Sequence, residues 1–319
     1  MDALQTQDLL QLVAGVAGTW IGAELLVRGS ARLALALGLR PLLVGLTVVA
    51  FGTSSPEAVV SFVAATAGSG GIAVGNVVGS NIANIGLILG LVSLVHPMRV
   101  KWGEIRRDVL FMSVATAMAA AAILTGRLDP MAGIPLWIVL IASVVYGVRT
   151  PAADATGAAE PRPVRDPRTL TLAVVQSVVG LIVLVVAARF MVTAAEEIAR
   201  AFGIDDAIIG ATVVAVGTSI PELATSVVAV ARGHYEIGIG NIVGSNLMNL
   251  TFVLGTVCLL PVPGPIHLDG HSRLLVWSMV GFTALLVPML VTSGRVRRRE
   301  GAALLACYLA FSWVAYFQA

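Results

Sequence analysis

The sequence predicts an all-α membrane protein of ten transmembrane helices, arranged as two inverted five-helix repeats with discontinuous helices. Three observations predict this: an apolar composition, apolar runs of spanning length from end to end, and a pair of polar motifs that occurs twice at one fixed spacing.

Hydrophobic residues make up 57% of the chain and charged residues 12%. A soluble domain carries roughly twice that share of charge. Apolar runs of about 17–25 residues, the length that crosses a bilayer as a helix, recur along the chain. The expected spans are 8–27, 41–67, 72–95, 108–125, 131–148, 170–190, 206–231, 237–260, 273–293 and 301–318. They continue to the last residues, so a cleaved leader alone does not account for them. The second, third, seventh and eighth spans carry polar interruptions.

Charge is unevenly divided among the connections. Arg28, Arg32 and Arg40 fall in the first, Arg99, Lys101, Arg106 and Arg107 in the third, and Arg149, Arg162, Arg165 and Arg168 in the fifth. Arg232 falls in the seventh, and Arg295, Arg297, Arg298 and Arg299 in the ninth. These are sixteen of the 20 basic residues; Arg127, Arg189, Arg200 and Arg273 fall on the other side. Basic residues concentrate in cytoplasmic loops, which places both termini outside the cell or in the periplasm. Lys101 is the only lysine, an arginine bias associated with GC-rich prokaryotic genomes, so the expected location is a prokaryotic plasma (inner) membrane.

The stretch Thr150 to Arg168, rich in Pro, Ala and charge, reads as a linker. It divides the chain into a first repeat (1–149), a cytoplasmic linker (150–169) and a second repeat (170–319). The halves match at a constant offset of 165 residues. Thr47-Val-Val-Ala-Phe-Gly-Thr-Ser-Ser-Pro-Glu57 pairs with Thr212-Val-Val-Ala-Val-Gly-Thr-Ser-Ile-Pro-Glu222. Gly75-Asn-Val-Val-Gly-Ser-Asn-Ile-Ala-Asn84 pairs with Gly240-Asn-Ile-Val-Gly-Ser-Asn-Leu-Met-Asn249. Apolar segments align Val with Val by chance, but not Gly, Thr, Ser, Pro, Glu and Asn in one order twice. Five spans per half start the two repeats on opposite sides of the membrane. Inverted repeats with broken helices are a recurring plan for secondary transporters, with the substrate near the midplane between the repeats.

Pro56 lies deep in an apolar span, lacks an N–H and clashes with the carbonyl four residues back. Helped by Gly52, it breaks the helix and frees carbonyls around Ala50 to Thr53, with Ser55 expected to cap the second half-helix. Such a break does not face lipid, where each unsatisfied backbone group costs several kcal/mol. The atoms on offer are carbonyls, Thr and Ser hydroxyls and the Glu57 carboxylate, doubled at Thr218, Ser219 and Glu222. All are hard oxygen donors, suited to calcium and other hard cations. A carboxylate at the bilayer centre costs on the order of 2.5–3.5 kcal/mol. Two facing carboxylates also repel, and a divalent cation between them removes both problems.

Ser80 and Asn84 lie one helical turn apart on one face of the third span, as Ser245 and Asn249 do in the eighth, and they are candidates to complete the shell. Asn76, Asn81, Asn241 and Asn246 are expected to cap or bridge backbone, while Gly71, Gly75 and Gly79 form a small-residue ridge for close packing. Glu24 and Arg28 are spaced to pair locally, and Glu196, Glu197, Asp205 and Asp206 read as a solvated outer connection. Cys258 and Cys307 lack metal or redox spacing. His96, His234, His267 and His271 form no HExxH pattern, and no nucleophile–base arrangement appears at membrane depth, so an enzyme is not expected. No cofactor and no nucleic-acid partner is expected; the bilayer is. One chain supplies both half-sites, so it is expected to work as a monomer.

These motifs resemble the two alpha-repeats of the prokaryotic type of the sodium/calcium exchanger family, in the calcium/cation antiporter superfamily. The resemblance implies exchange of calcium for sodium by alternating access. It implies that Glu57, Glu222 and the carbonyls of Thr53 and Thr218 hold calcium. It further implies that Ser54, Ser219, Ser80, Ser245 and the carbonyls of Ala50 and Ala215 hold sodium. The related cation/proton exchangers usually lack the Gly-Thr-Ser run, which makes proton or other cation coupling the alternative, with a cation channel or sensor in a different class. The chain departs from the family at Asn249, where many prokaryotic relatives carry Asp, so the expected site has two carboxylates rather than three.

Overall fold

The computed structural model describes residues 6–99, 101–149, 166–203, 215–260, 270–293 and 295–317. The linker 150–165, the start of the seventh expected span, Asp205, Asp206 and His267 lie outside the described residues. The fold is nearly all helix. In chain order the helices are α1 (Thr6–Leu37), the bent pair α2 (Pro41–Thr53) and α3 (Ser55–Thr66), α4 (Gly70–Val95), α5 (Trp102–Leu124) and α6 (Pro130–Arg149). There follow α7 (Pro167–Ala201), the short α8 (Ala215–Gly217), α9 (Ile220–Ala231), α10 (Tyr235–Val257), α11 (Gly270–Ser293) and α12 (Arg298–Phe317). Among the described residues seven helices are long and apolar enough to cross a membrane, or eight with the bent pair taken as one span.

Helices α1 and α7 are longer than the apolar runs suggest. They have 32 and 35 residues, about 48 and 52 Å at 1.5 Å per residue, well beyond a hydrocarbon core of about 30 Å. Arg28 and Arg32 therefore belong to α1, and Glu196 and Glu197 to α7, rather than to connections. The charges stay helical because they find partners there. Arg28 pairs with Glu24, Arg200 with Glu196 (3.5 Å), and Arg32 Nη1 donates to Gln176 Oε1 across α1 and α7 (2.7 Å). The two helices touch at Gly22 and Gly180, where a Cβ on either would come within 2.9 Å of the other's carbonyl oxygen. At the start of α7, Asp166 accepts from the N–H groups of Arg168 and Thr169 and from the Thr169 hydroxyl. These bonds hold its carboxyl below the usual range.

Helices α10 and α4 are the centre of the bundle. Across their apolar windows 94% and 78% of residues are buried, against 28% for α6 and α7. α2 lies directly on α10, where a Cβ on Gly240 would sit 2.7 Å from Leu42 O and one on Gly45 2.7 Å from Ile237 O. That is close backbone approach through small residues. On α4, no described atom lies within 4 Å of a Cβ built at Gly75 or Gly79, so the tight contact is seen on α10.

The arginine-rich connections meet at one end of the molecule. Met98–Arg99 pairs antiparallel with Arg295–Val296, and Arg298 Nη2 donates to Val95 O (3.2 Å). Arg40 Nη1 reaches Glu104 O (3.4 Å), and Arg232 Nε reaches Glu24 Oε2 (2.8 Å). The first, third, seventh and ninth connections thus share one end.

Candidate functional site

Both proline motifs break their helices in the same way. α2 and α3 meet at a 47° bend. Ser54, at the break, has φ −82° and ψ 4°, and Ser219 has φ −90° and ψ 6°. Pro56 and Pro221 occupy the first turn of α3 and α9, where a missing N–H is harmless. Ser55 does not cap α3. Its hydroxyl turns back to Gly52 O (2.7 Å), the carbonyl whose partner Pro56 removes. Ile220 stands at the equivalent place in the second motif and has no hydroxyl to do this. Ala50 O is not a free carbonyl either, since it accepts from Ser54 N (2.9 Å) and Thr53 Oγ1 (3.4 Å). An ion would take one of its two lone pairs in place of the longer Thr53 contact.

The two halves exchange hydrogen bonds across the site. Ser54 Oγ donates to Glu222 Oε1 (3.0 Å), and Ser219 Oγ donates to Glu57 Oε1 (3.4 Å). Ser245 Oγ also reaches Glu222 Oε1 (3.5 Å) and lies 3.5 Å from Thr53 Oγ1. Glu57 and Glu222 are 1% and 0% exposed. Their remaining oxygens, Glu57 Oε2 and Glu222 Oε2, are buried without a hydrogen-bond partner. Buried carboxylate oxygens without partners are costly unless something positive takes them.

A second symmetric feature holds each glutamate's backbone. Asn76 Nδ2 donates to Glu57 O (3.1 Å) and Ser61 Oγ (2.9 Å). Asn241 Nδ2 donates to Glu222 O (3.3 Å) and Ser226 Oγ (3.1 Å), and its Oδ1 accepts from Thr53 Oγ1 (3.1 Å). Both asparagines bridge backbone as expected. Ser61 and Ser226 escape the motif reading, although each lies four residues after its glutamate and they keep the 165-residue offset.

The faces of α4 and α10 are less symmetric. Each helix loosens into a π-type turn starting at its motif asparagine, Asn84–Leu89 and Asn249–Val253; such turns recur at functional positions. Asn84 Nδ2 donates to Asn246 Oδ1 (3.3 Å), whereas Asn81 Nδ2 turns back to Val77 O (2.7 Å). Both amide atoms of Asn249 are buried with no partner, as is Asn84 Oδ1. Among the described residues Ser80 is buried but makes no hydrogen bond to this cluster. Ala215 opens the short α8. Phe252, in the second π-type turn, packs on Phe51 before the bend, Phe62 after it and Trp137 of α6, with ring centroids 5.3, 5.9 and 5.5 Å apart.

Among the described residues no three His, Cys, Asp or Glu side chains converge on one point. The site is two carboxylates supplemented by neutral oxygens, a donor set for hard cations. A cavity of about 210 Å³, lined by Pro56, Arg189, Thr193, Gly217, Thr218 and Pro221 among others, lies beside the two breaks. Arg189 lies about 33 Å along α7 from its first residue, toward the arginine-poor end. On the opposite side Ala23, Val27, Thr53 and Thr225 are all 0% exposed.

The profile of the sodium/calcium exchanger protein family matches residues 8–148 and 172–317. The chain is 34% identical over 268 residues to the inner membrane protein YrbG of Escherichia coli K12, covering 82% of each. It is 29% identical to the sodium/calcium exchanger MaX1 of Methanosarcina acetivorans, over 98% of this chain and 99% of that one. Its fold superposes on the sodium-calcium exchanger NCX_Mj, solved after soaking with Na+ and Ca2+. The TM-score is 0.81 at 28% identity, over 98% of this chain and 99% of that one. Apolar helices, a buried two-glutamate oxygen site and these matches together establish that the chain belongs to the sodium/calcium exchanger family, as a multi-pass membrane antiporter of cations and not an enzyme.

Proposed function

We propose that the protein exchanges calcium for sodium by alternating access, binding both at the paired proline breaks. The observation that carries this reading is the reciprocal bonding of Ser54 to Glu222 and Ser219 to Glu57, which leaves one oxygen of each carboxylate unpaired. Glu57, Glu222 and the carbonyls of Thr53 and Thr218 hold calcium. Ser54, Ser219, Ser80, Ser245 and the carbonyls of Ala50 and Ala215 serve sodium, with Asn84 and Asn249 completing the shell. The relative MaX1 is named a sodium/calcium exchanger, and NCX_Mj was soaked with both ions, which supports these as the substrates.

The chain works in this reading as one monomer of ten spans in two inverted repeats, 1–149 and 170–319, around a cytoplasmic linker. The equivalent break geometry at Ser54 and Ser219 supports the repeat. So do the equivalent bonds of Asn76 and Asn241. The shared end of the basic connections supports a cytoplasmic position for that end.

Purified protein in sodium-loaded liposomes tests the reading. Calcium uptake is expected to follow the outward sodium gradient. Uptake that ignores sodium and follows a pH gradient would instead support proton coupling.

A further inference from the structure

We propose that the ion pair between Glu24 and Arg232 is a latch holding the basic end of the ion path closed, and that the opposite end has no equivalent. The proposal rests on the alternating-access reading. Arg232 follows the last turn of α9, the half-helix that carries Glu222, and its Nε lies 2.8 Å from Glu24 Oε2 on α1. Glu24 is only 13% exposed and also pairs with Arg28 one turn along α1. The Arg28 pair stays within one helix; the Arg232 pair crosses between two.

The 165-residue offset extends through these elements. It relates Gly38 to Gly203 and Gly68 to Gly233, all four with positive φ (66°, 76°, 80° and 79°). The same offset relates the cavity residues Arg189, Thr193, Gly217 and Thr218 to Glu24, Arg28, Gly52 and Thr53. At the counterpart positions of the other end Gly52 and Thr53 are buried and Glu24 is 13% exposed, and only Arg28 is open to its surroundings. In an inverted repeat the two halves exchange conformations when access switches, so α1 must part from the α9 end as α7 now stands apart from the α3 end. That motion breaks Glu24–Arg232. The counterparts at the other end are Arg189 and Ala67, which have no charge pair to make or break. The latch thus stabilises the conformer seen here, shut at the basic end, with nothing to offset it in the opposite conformer. Arg232 is 47% exposed, which limits the bias to roughly 1.4- to 5-fold in the population ratio.

Cysteine accessibility tests this without any transported ion. In a background of Cys258→Ala and Cys307→Ser, Val27→Cys reports the shut end and Val192→Cys the cavity. Arg232→Gln is expected to raise the maleimide labelling rate at position 27 and lower it at position 192, changing the ratio of the two rates by roughly 1.4- to 5-fold. Arg232→Lys is expected to restore both, and Arg28→Gln to leave both unchanged. Should Arg232→Gln fail to fold, Glu24→Gln is expected to give the same two shifts. Unchanged rates in Arg232→Gln and Glu24→Gln, or an equal shift in Arg28→Gln, would overturn the latch. A protein that shows the shifts yet moves no calcium would refute the proposed substrate and leave the latch standing.

Discussion

Ser54 lies on the first proline motif, yet its hydroxyl belongs to the second: it donates to Glu222 Oε1 at 3.0 Å, while Ser219 returns a longer bond of 3.4 Å to Glu57. Each serine is the last residue before its own half-helix and a ligand-orienting group for the other. Ser54→Ala and Ser219→Ala are each expected to raise the calcium concentration for half-maximal uptake. A lost hydrogen bond to a charged group is worth about 1.5–3 kcal/mol, or about 10- to 100-fold. The shorter bond makes Ser54→Ala the more damaging, and side-by-side uptake titrations in liposomes check the order.

Asn241 is the better-connected of the two backbone braces. It is fully buried and bonds Glu222 O, Ser226 Oγ and Thr53 Oγ1, whereas Asn76 is half-buried and bonds two groups. Asn241→Ala removes a partner from three buried polar groups, at about 1–3 kcal/mol for each that is left fully unpaired. Thermal unfolding in detergent is expected to show a larger loss of Tm for Asn241→Ala than for Asn76→Ala.

The backbone contact at Gly240 sets how close α2 and α10 come. A methyl there would sit 2.7 Å from Leu42 O, on backbone rather than on a yielding side chain. Gly240→Ala is expected to destabilise by about 1–3 kcal/mol, as overpacking does. Gly79→Ala, with no described atom within 4 Å of its Cβ, is expected to cost less. The same unfolding assay compares them.

Much of this site is legible in the sequence because its residues contradict their surroundings. Pro56, Glu57, Pro221 and Glu222 have no place in an apolar span unless they do something there, and the constant offset says they do it as a pair. The cross-bonding is not legible: nothing in the order of residues says that Ser54 meets Glu222 rather than Glu57, since that depends on how two halves pack. Ser55 illustrates the same limit. Its position suits a cap, but a carbonyl orphaned by Pro56 lies nearer in the folded chain and takes the hydroxyl. The overlong α1 and α7 are hidden because a hydropathy run ends at the first charges. A helix continues past them when Glu24, Arg28 and Arg32 find partners on its own face and on its neighbours.

Asn249 is the fully buried amide with neither polar atom paired, so its environment tolerates a change of donor. Asn249→Asp is expected to retain most calcium uptake at neutral pH, because full burial favours the protonated acid, which is close in shape and hydrogen-bonding to the amide. Uptake is expected to diverge from the parent as pH rises and the new carboxyl ionises. A pH profile identical to the parent's would place residue 249 away from the ion.

The central claim is that Glu57 and Glu222 jointly hold the transported cation. Sodium-gradient-driven calcium uptake by Glu57→Gln, Glu222→Gln and Glu196→Gln, each purified and reconstituted at equal density, tests it most directly. The account predicts uptake at background for the first two and parental uptake for Glu196→Gln, whose partner Arg200 lies near the far end of α7. Parental uptake by either Glu57→Gln or Glu222→Gln would contradict it.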